Sequence, residues 1–512
     1  MALPELIEIV PLDKPVRAEI TVTGSKSITN RALVLAALAD GEVTLQGALW
    51  SEDTQIMVEC LQELGFMVNV EADPDEFCNR TITVYGKGGK IPNGGTVENP
   101  LELFVGNAGT AARFLSAMVC LGKGIYRLHG VPRMHERPQA ALFKALRELG
   151  YRVESENGND KLPVRIFGGS RRREEADSAQ DVRLLTSAAT KHCTVSIEES
   201  SQFASALLLC EKTGGWQVEV TGENAEESRY VAMTTKLIEA FPNRGEAFQI
   251  EPDASSGSYF WGADALLPNP RNQISASDQK RFTMIAADLA KNKLVRSELE
   301  RLLKLPPSNA NFQWHQQLPE IAGKVDKNAA EWLMKLRDTH THVVVSNWPT
   351  SNWQIDAKFP KLIWFVSNIS RQRHLGDSIM TAIVIRPVLE VPVKFTDLGR
   401  LRVQECERVV ALRTELTKCG AKVVEEGDTL TVYPSQLHGA EIETYNDHRM
   451  AMCFAILGLK VPGIKIKNPA CVKKTFPNFF QKLATPPPNG LGATILDAKT
   501  GRKLEASELF AD

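Results

Sequence analysis

Apolar and polar positions along this chain fall into blocks that recur in one order. Residues 24–47, GSKSITNRALVLAALADGEVTLQG, open with a Gly/Ser loop carrying Lys26, Ser27 and Arg31. An apolar run of helical length follows at 32–39, then a turn at Asp40-Gly41, then a strand in which Val43 and Leu45 alternate with polar residues. The next stretch, SEDTQIMVECLQELGFMV, places Ile56, Met57, Cys60, Leu61 and Leu64 at helical spacing, with Ser51 as N-cap and Gly65 as stop.

The block recurs at residues 106–130 (GNAGTAARFLSAMVCLGKGIYRLHG), 200–222 (SSQFASALLLCEKTGGWQVEVTG), 375–398 (LGDSIMTAIVIRPVLEVPVKFTDL) and 445–468 (YNDHRMAMCFAILGLKVPGIKIKN). Each is followed by a second helical segment, such as RPQAALFKALRELGYRV or ECERVVALRTELTKCGAKVV. A truncated copy, PDASSGSYFWGADALL, starts at Pro252. A repeat of roughly 70 to 95 residues is too long for a solenoid and reads as a small α/β subdomain. The leading helices are apolar on nearly every side, which predicts that they are buried against one another. Three units before about residue 251 and three after predict two similar domains, with the polar helix starts facing one cleft.

Two stretches break the order. Between Leu267 and Trp348 the fourth unit is expected to lose its strand, and charged helical segments (RSELERLLKL, AAEWLMKLRD) read as an insertion. After Ala484 a Pro-rich linker leads to ATILDAKTGRKL, where Lys499-Thr500-Gly501 reads as a hairpin turn.

With 512 residues, 43% hydrophobic and 24% charged, the composition is that of a soluble globular protein of two or more domains. A net charge of −2 gives no general affinity for nucleic acid or acidic membranes, so anion binding has to come from local clusters. The first residues, MALPELIEIVPLD, lack the basic and apolar regions of a signal peptide, and no run approaches the ~20 apolar residues of a membrane span. Nine cysteines without a CxxC pair predict reduced thiols in a cytoplasmic protein.

A helix start in a Gly/Ser loop presents unpaired N–H groups and the positive end of the dipole, and a neighbouring Lys or Arg completes an anion site. The alternative for any one start is a capped helix with its basic residues in water. The starts here gather Lys26, Ser27 and Arg31; Asn107, Gly109 and Arg113; Ser200, Ser201 and Gln202; Arg408; Arg449; and Lys474, with Arg133 in a Gly/Pro loop. Such a set suits a multiply anionic ligand. Two acids among these cations, Asp377 and Glu405, would repel an anion unless they handle protons, the alternative being internal pairing such as Glu405 with Arg408.

The motifs GSKSITNRAL, GNAGTAARF, PRMHERP, SSQFASALL, GDSIMTA, RVQECER, YNDHRMAM and KTFPNFF together resemble the 5-enolpyruvylshikimate-3-phosphate synthase family, over most of the chain except about 267–350 and the tail 485–512. The resemblance implies an α/β fold: a two-domain inside-out α/β barrel of six pseudo-repeated βαβαββ units, with an insertion in the fourth. The first domain would comprise 1–23 and 252–512, the second 24–251. It implies transfer of the enolpyruvyl group of phosphoenolpyruvate to the 5-hydroxyl of shikimate-3-phosphate, with release of phosphate, in the pathway to chorismate and aromatic amino acids. No metal or organic cofactor, nucleic acid or membrane would take part, and the enzyme would be a cytoplasmic monomer.

By motif, the implied proton carriers are Lys26, Asp377 and Glu405. Shikimate-3-phosphate would be held by Lys26, Ser27, Arg31, Ser200, Ser201, Gln202, Tyr230, Asp377 and Gln404. Phosphoenolpyruvate would be held by Lys26, Asn107, Gly109, Arg133, Gln202, Arg408, Arg449 and Lys474. The chain departs from the family pattern at Arg400 for Asn, Gln404 for Lys, Glu227 for Ser and Phe114 for Pro. A sister transferase acting on a UDP-sugar would carry a Cys in the loop read here as GVPRMHE, which has none. A catalytically impaired paralogue that binds an anionic metabolite is the other alternative.

Overall fold

A computed structural model describes residues 3–169, 191–222, 225–242, 245–267, 342–363 and 367–511. The chain packs as two compact units, Met1–Val22 with Ala254–Asp512, and Thr23–Asp253.

In the unit Thr23–Asp253, the helices Lys26–Leu38, Gly109–Met118 and Ser201–Gly214 pack against one another. Leu33, Phe114 and Phe203 on these helices are fully buried. Helices enclosed on all sides cannot carry a polar stripe, which is why runs such as ALVLAAL lack one. Strand Asp40–Leu49 pairs in parallel with Ala247–Gln249 and antiparallel with Asn79–Lys87, which pairs antiparallel with Val68–Ala72. Strands Leu101–Phe104, Ile125–His129, Val164–Phe167 and Arg152–Ser155 repeat that sequence of one parallel and two antiparallel pairings. Lys191–Ser196 and Trp216–Thr221 form a parallel pair.

The unit Met1–Val22 with Ala254–Asp512 shows the same plan. Helices Ala254–Leu266, Ile379–Ile385 and His448–Gly458 pack together, burying Phe260, Ile383 and Phe454. Two four-stranded sheets, Asn368–Ser370 with Val393–Thr396, Thr429–Val432 and Val423–Glu426, and Glu441–Ile442 with Ile464–Lys467, Leu6–Ile9 and Ile495–Asp497, have the same pairing order.

Two expectations are corrected. The fourth unit keeps a strand: His342–Val345 lies parallel to Arg17–Ile20. Its four residues, HVVV, are too few to stand out beside a long charged stretch, although their β-branched character suits a buried parallel strand. Residues 268–341, with the expected helical segments of the insertion, lie outside the described residues. The first helix also starts earlier than the apolar run, so Lys26, Ser27 and Arg31 sit on the helix itself. Its entry is fixed by one backbone bond, Ser25 N–H to the Glu251 carbonyl at 2.8 Å, and one to a side chain distant in sequence, Gly24 N–H to Asn79 Oδ1 at 2.9 Å, so local polarity did not mark the boundary. The turn at 498–500 joins Ile495–Asp497 to a bridge between Leu496 and Lys503, as the Lys499-Thr500-Gly501 pattern predicts.

Candidate active site

The residues singled out by sequence fall into two sets, one in each unit. In Thr23–Asp253, Lys26 is the first residue of its helix, and its Nζ lies 2.9 Å from Oδ2 of Asp53. Asp53 is buried in the first turn of the following helix, Glu52–Glu63. Arg31 is buried one turn along. It donates from Nε to Thr234 Oγ1 at 2.7 Å, from Nη2 to Ser205 Oγ at 3.0 Å and from Nη1 to the Ser27 carbonyl at 2.8 Å. Its guanidinium also lies over the Phe114 ring at 5.2 Å, so the Phe found where Pro is usual supports a buried cation.

Gly109 opens the second helix between two guanidinium groups. A Cβ there would stand 2.5 Å from Arg113 Nη1 and 2.7 Å from Arg137 Nη2, so a side chain at this position would push the two guanidinium groups from their present places. Arg113 donates to the Gly109 and Pro138 carbonyls, and Arg137 to the Asn107 carbonyl at 3.2 Å. Ser200 caps the third helix, its Oγ accepting from Gln202 N–H at 3.3 Å, and Ser201 is buried behind it. Among the described residues, no donor meets the buried side-chain oxygens of Asn107 and Gln202. Arg133 is exposed and pairs with Glu136 at 2.5 Å. Tyr230 lies within the helix Ala225–Ala240, its carbonyl accepting from Thr234. The side chain of Glu227 lies outside the described residues.

In the other unit a denser cluster forms. Asp377, just before the helix Ile379–Ile385, meets three arginines: Arg371 Nη2 at 2.8 Å and Arg408 Nη1 at 3.8 Å on Oδ1, and Arg449 Nη2 at 3.0 Å on Oδ2. Arg408 starts the helix Arg408–Lys418 and also holds Asp447, Nε to Oδ2 at 2.7 Å, and Gln404 Oε1. Asp447 caps the helix that carries Arg449, accepting from its N–H at 2.8 Å. Lys474, at the end of the 3-10 turn Pro469–Lys474, pairs with Glu405 at 2.6 Å. The direct ion-pair partner of Glu405 is thus Lys474, while Arg408 turns to Asp447.

Charge sets the protonation here. Burial raises the Asp377 carboxyl, but Arg449, Arg371 and Arg408 outweigh it and hold the group well below the usual carboxylate range. Burial likewise raises Glu405, and Lys474 and Arg408 hold it far down. Burial drives the imidazole of His448 well below its ordinary range against the pull of Asp447, which leaves it neutral. Both acids beside the cations are therefore carboxylates at neutral pH, able to accept a proton but not to give one in this arrangement.

A sequence model of EPSP synthase (3-phosphoshikimate 1-carboxyvinyltransferase) matches residues 11–274 and 367–483. The chain belongs to the EPSP synthase family. A 3-phosphoshikimate 1-carboxyvinyltransferase of Trichormus variabilis is 32% identical over 498 residues, covering 93% of this chain and 98% of that one. The enzyme of that name from Opitutus terrae is 32% identical, covering 95% and 98%. Among solved structures, EPSP synthase from Acinetobacter baumannii superposes with a TM-score of 0.61 at 19% identity, covering 96% of this chain and 99% of its own. The enolpyruvyl transferase NikO from Streptomyces tendae gives a TM-score of 0.53 at 14% identity, covering 98% and 99%. These likenesses establish the α/β fold of the family. Every site residue named above lies inside the matched segments, whereas residues 275–366 and those after 483 lie outside them.

Sequence reasoning missed Asp53, Arg371 and Asp356. Asp356 accepts from Gly376 N–H at 2.6 Å, Ser378 Oγ at 2.5 Å and Ser255 Oγ at 2.5 Å, and so anchors the start of the Asp377 helix. Asp447 was missed as well; an Asp directly before an apolar run is a helix-capping signal, but nothing in it points to Arg408. For Arg371 the one signal was the basic run RQRH before GDS. Among the described residues no group of three or more His, Cys, Asp or Glu is placed to hold a metal ion, and no helix is long and apolar enough to cross a membrane.

Proposed function

We propose that this chain transfers the enolpyruvyl group of phosphoenolpyruvate to the 5-hydroxyl of shikimate-3-phosphate, releasing phosphate. It would serve the pathway to chorismate and aromatic amino acids. The observation that carries this reading is the Asp377 carboxylate ringed by Arg371, Arg408 and Arg449 beside the Lys474–Glu405 pair, in a chain of this family. Arginines that share a carboxylate can exchange it for the carboxylate or phosphate of a substrate, keeping charge balance in a site shielded from water.

Arg408, Arg449 and Lys474 then grip phosphoenolpyruvate, together with Lys26, Asn107, Gly109, Arg133 and Gln202. Ser27, Arg31, Ser200, Ser201, Gln202, Tyr230, Gln404 and Lys26 orient shikimate-3-phosphate. The buried amide oxygens of Asn107 and Gln202 suit donors brought by a ligand, since an unpaired buried acceptor costs about 1–3 kcal/mol. Arg31 acts from behind, through Ser27 and through its charge, because its donors are taken by Ser27, Ser205 and Thr234.

In the reaction the 5-hydroxyl oxygen bonds to C2 of phosphoenolpyruvate and its proton passes to Asp377. C3 gains a proton, giving a tetrahedral intermediate. The C2–O bond to phosphate then breaks, C3 returns a proton, and the double bond is restored. Lys26 and Glu405 move the C3 proton. Glu405 becomes an acid only after the phosphate draws Lys474 away from it.

We infer that the six-unit inside-out barrel of the family underlies this arrangement. The shared pairing order of the four-stranded sheets and the packed helix triplets support it. The nine cysteines, all free thiols, are in keeping with a reducing cytoplasm. A phosphate-release assay tests the function. Release that needs both substrates and is lost in Lys26→Met is expected; uptake of shikimate-3-phosphate without any release would overturn it.

A further inference from the structure

Asp377 is gripped asymmetrically. Its Oδ1 faces Arg371 at 2.8 Å and Arg408 at 3.8 Å, and its Oδ2 faces Arg449 at 3.0 Å. The three arginines are not equivalent. Arg408 and Arg449 begin helices and belong to the set assigned above to phosphoenolpyruvate. Arg371 belongs to no such set. It follows the strand Asn368–Ser370, its backbone N–H donates to the Thr396 carbonyl at 3.0 Å, and its side chain is 5% exposed. What sets it apart from Arg408 and Arg449 is its place after a strand, away from the helix starts that present cations to an anion.

When the carboxylate of phosphoenolpyruvate takes Arg449, Asp377 loses the partner of Oδ2 and keeps that of Oδ1. We propose that Arg371 is a positioning residue for enolpyruvyl transfer: it retains Oδ1 of Asp377 while Oδ2, uncovered as Arg449 turns to the substrate, receives the 5-hydroxyl proton. Substrate binding itself thereby arms the base. Before binding, both oxygens are covered and the carboxylate is a very poor acceptor; afterwards one oxygen is free and aimed. This rests on the function proposed above.

The groups around Asp377 define what the test must separate. Arg371, Arg408 and Arg449 face the carboxylate. Asp447 and Gln404 lie behind Arg408, and the Glu405–Lys474 pair and His448 adjoin them. Asp356 binds the backbone on both sides of Asp377, at Gly376 and Ser378. Removing Arg371 leaves all of these in place and takes away the one cation that substrate does not recruit.

The experiment is the pH profile of kcat for phosphate release in wild type, Arg371→Gln and Arg371→Lys. In Arg371→Gln the acid limb is expected to move up by about one pH unit or more, as for a carboxylate that loses an adjacent guanidinium. kcat should fall by about tenfold or more while KM for phosphoenolpyruvate stays near the wild-type value. A folded Arg371→Gln whose acid limb coincides with that of wild type overturns the proposal. Should the Gln variant fail to fold, Arg371→Lys decides. A limb left in place with kcat reduced supports a positioning role, since charge remains and aim is lost; unchanged kcat overturns it. If wild type releases no phosphate, the functional reading itself fails, a different result from an active enzyme with an unmoved limb.

Discussion

Arg408 Nε lies 2.7 Å from Asp447 Oδ2, with only 2% and 0% of the two side chains exposed. Asp447 also accepts the backbone N–H of Arg449, so one carboxylate orders two of the arginines that surround Asp377. Replacing Asp447 by Ala strands a buried guanidinium and uncaps a helix. Breaking a buried pair from one side costs about 3–5 kcal/mol. Denaturant unfolding of Asp447→Ala should show a loss of that order, and the surviving protein should bind phosphoenolpyruvate more weakly. A variant as stable as wild type would mean that water or a rearranged acid satisfies Arg408.

Lys26 is held by Asp53 across an ion pair of 2.9 Å, at the N-terminal end of its helix. Lys26→Met keeps the length of the side chain and removes the charge. Loss of one aimed cation at a developing charge should lower kcat by about 10²-fold or more. Asp53→Asn leaves Lys26 charged but loosely held, so a smaller fall in kcat is expected, with circular dichroism unchanged in both. Equal activity of Lys26→Met and wild type in the phosphate-release assay would remove Lys26 from the chemistry.

The repeated helices were legible because burial on every side leaves a long apolar run, as in ALVLAALA and AMCFAILGL. The cations proposed for the site were legible as helix-end residues, because motifs place Lys26, Arg408, Arg449 and Lys474 at or beside helix ends. Their partners were not. Asp53 is 27 residues from Lys26, and Asp447 is 39 from Arg408. Periodicity reports which face of an element is buried, not which side chain of another element meets it. Arg371 was hidden for a further reason: an arginine in a short polar run reads as surface, and only the fold reveals it as 5% exposed. The strand His342–Val345 escaped because four residues carry too little pattern.

The Glu405–Lys474 pair predicts a pH effect whose sign is fixed. Glu405 lies well below its ordinary range, against burial, because Lys474 and Arg408 favour the carboxylate. The folded state therefore binds fewer protons than the unfolded chain in the acid range. The stability this supplies is complete above the ordinary carboxylate range, about pH 4, and is lost as pH falls through the depressed value. Asp377 and Asp447 shift in the same direction, so thermal unfolding midpoints should drop steeply below about pH 4. Lys474→Ala removes the nearest cation while burial remains, so Glu405 should titrate higher in the folded state, stability at neutral pH should fall, and the part of it lost on acidification should shrink. A neutral-pH stability and an acid-dependent loss equal to those of wild type in Lys474→Ala would show that Arg408 suffices.

The C-terminal tail makes the last prediction. The family match ends at residue 483, yet Ile495–Asp497 adds an antiparallel strand beside Leu6–Ile9, whose other neighbour is Ile464–Lys467. Leu491, Ile495, Leu504 and Leu509 from the tail are buried in the same core as Phe476 and Phe479. Ala511 N–H donates to the Pro477 carbonyl at 3.0 Å, and Gln481 Nε2 to the Ala506 carbonyl at 2.8 Å, so the tail clasps the segment that follows Lys474. Truncation after Ala484 would convert Leu6–Ile9 into an open edge, which invites association with other chains. It would also delete four large aliphatic side chains, each worth about 2 kcal/mol when buried, and uncover part of the core they share with Phe476 and Phe479. The truncated chain should lose several kcal/mol of stability and elute as aggregates in size-exclusion chromatography. Leu509→Asp offers a milder test, placing one charge in the tail's own core contact; its melting temperature should fall while residues 1–483 stay intact. A truncated chain that melts and elutes like the full one would mean that the tail merely rests on a core complete without it.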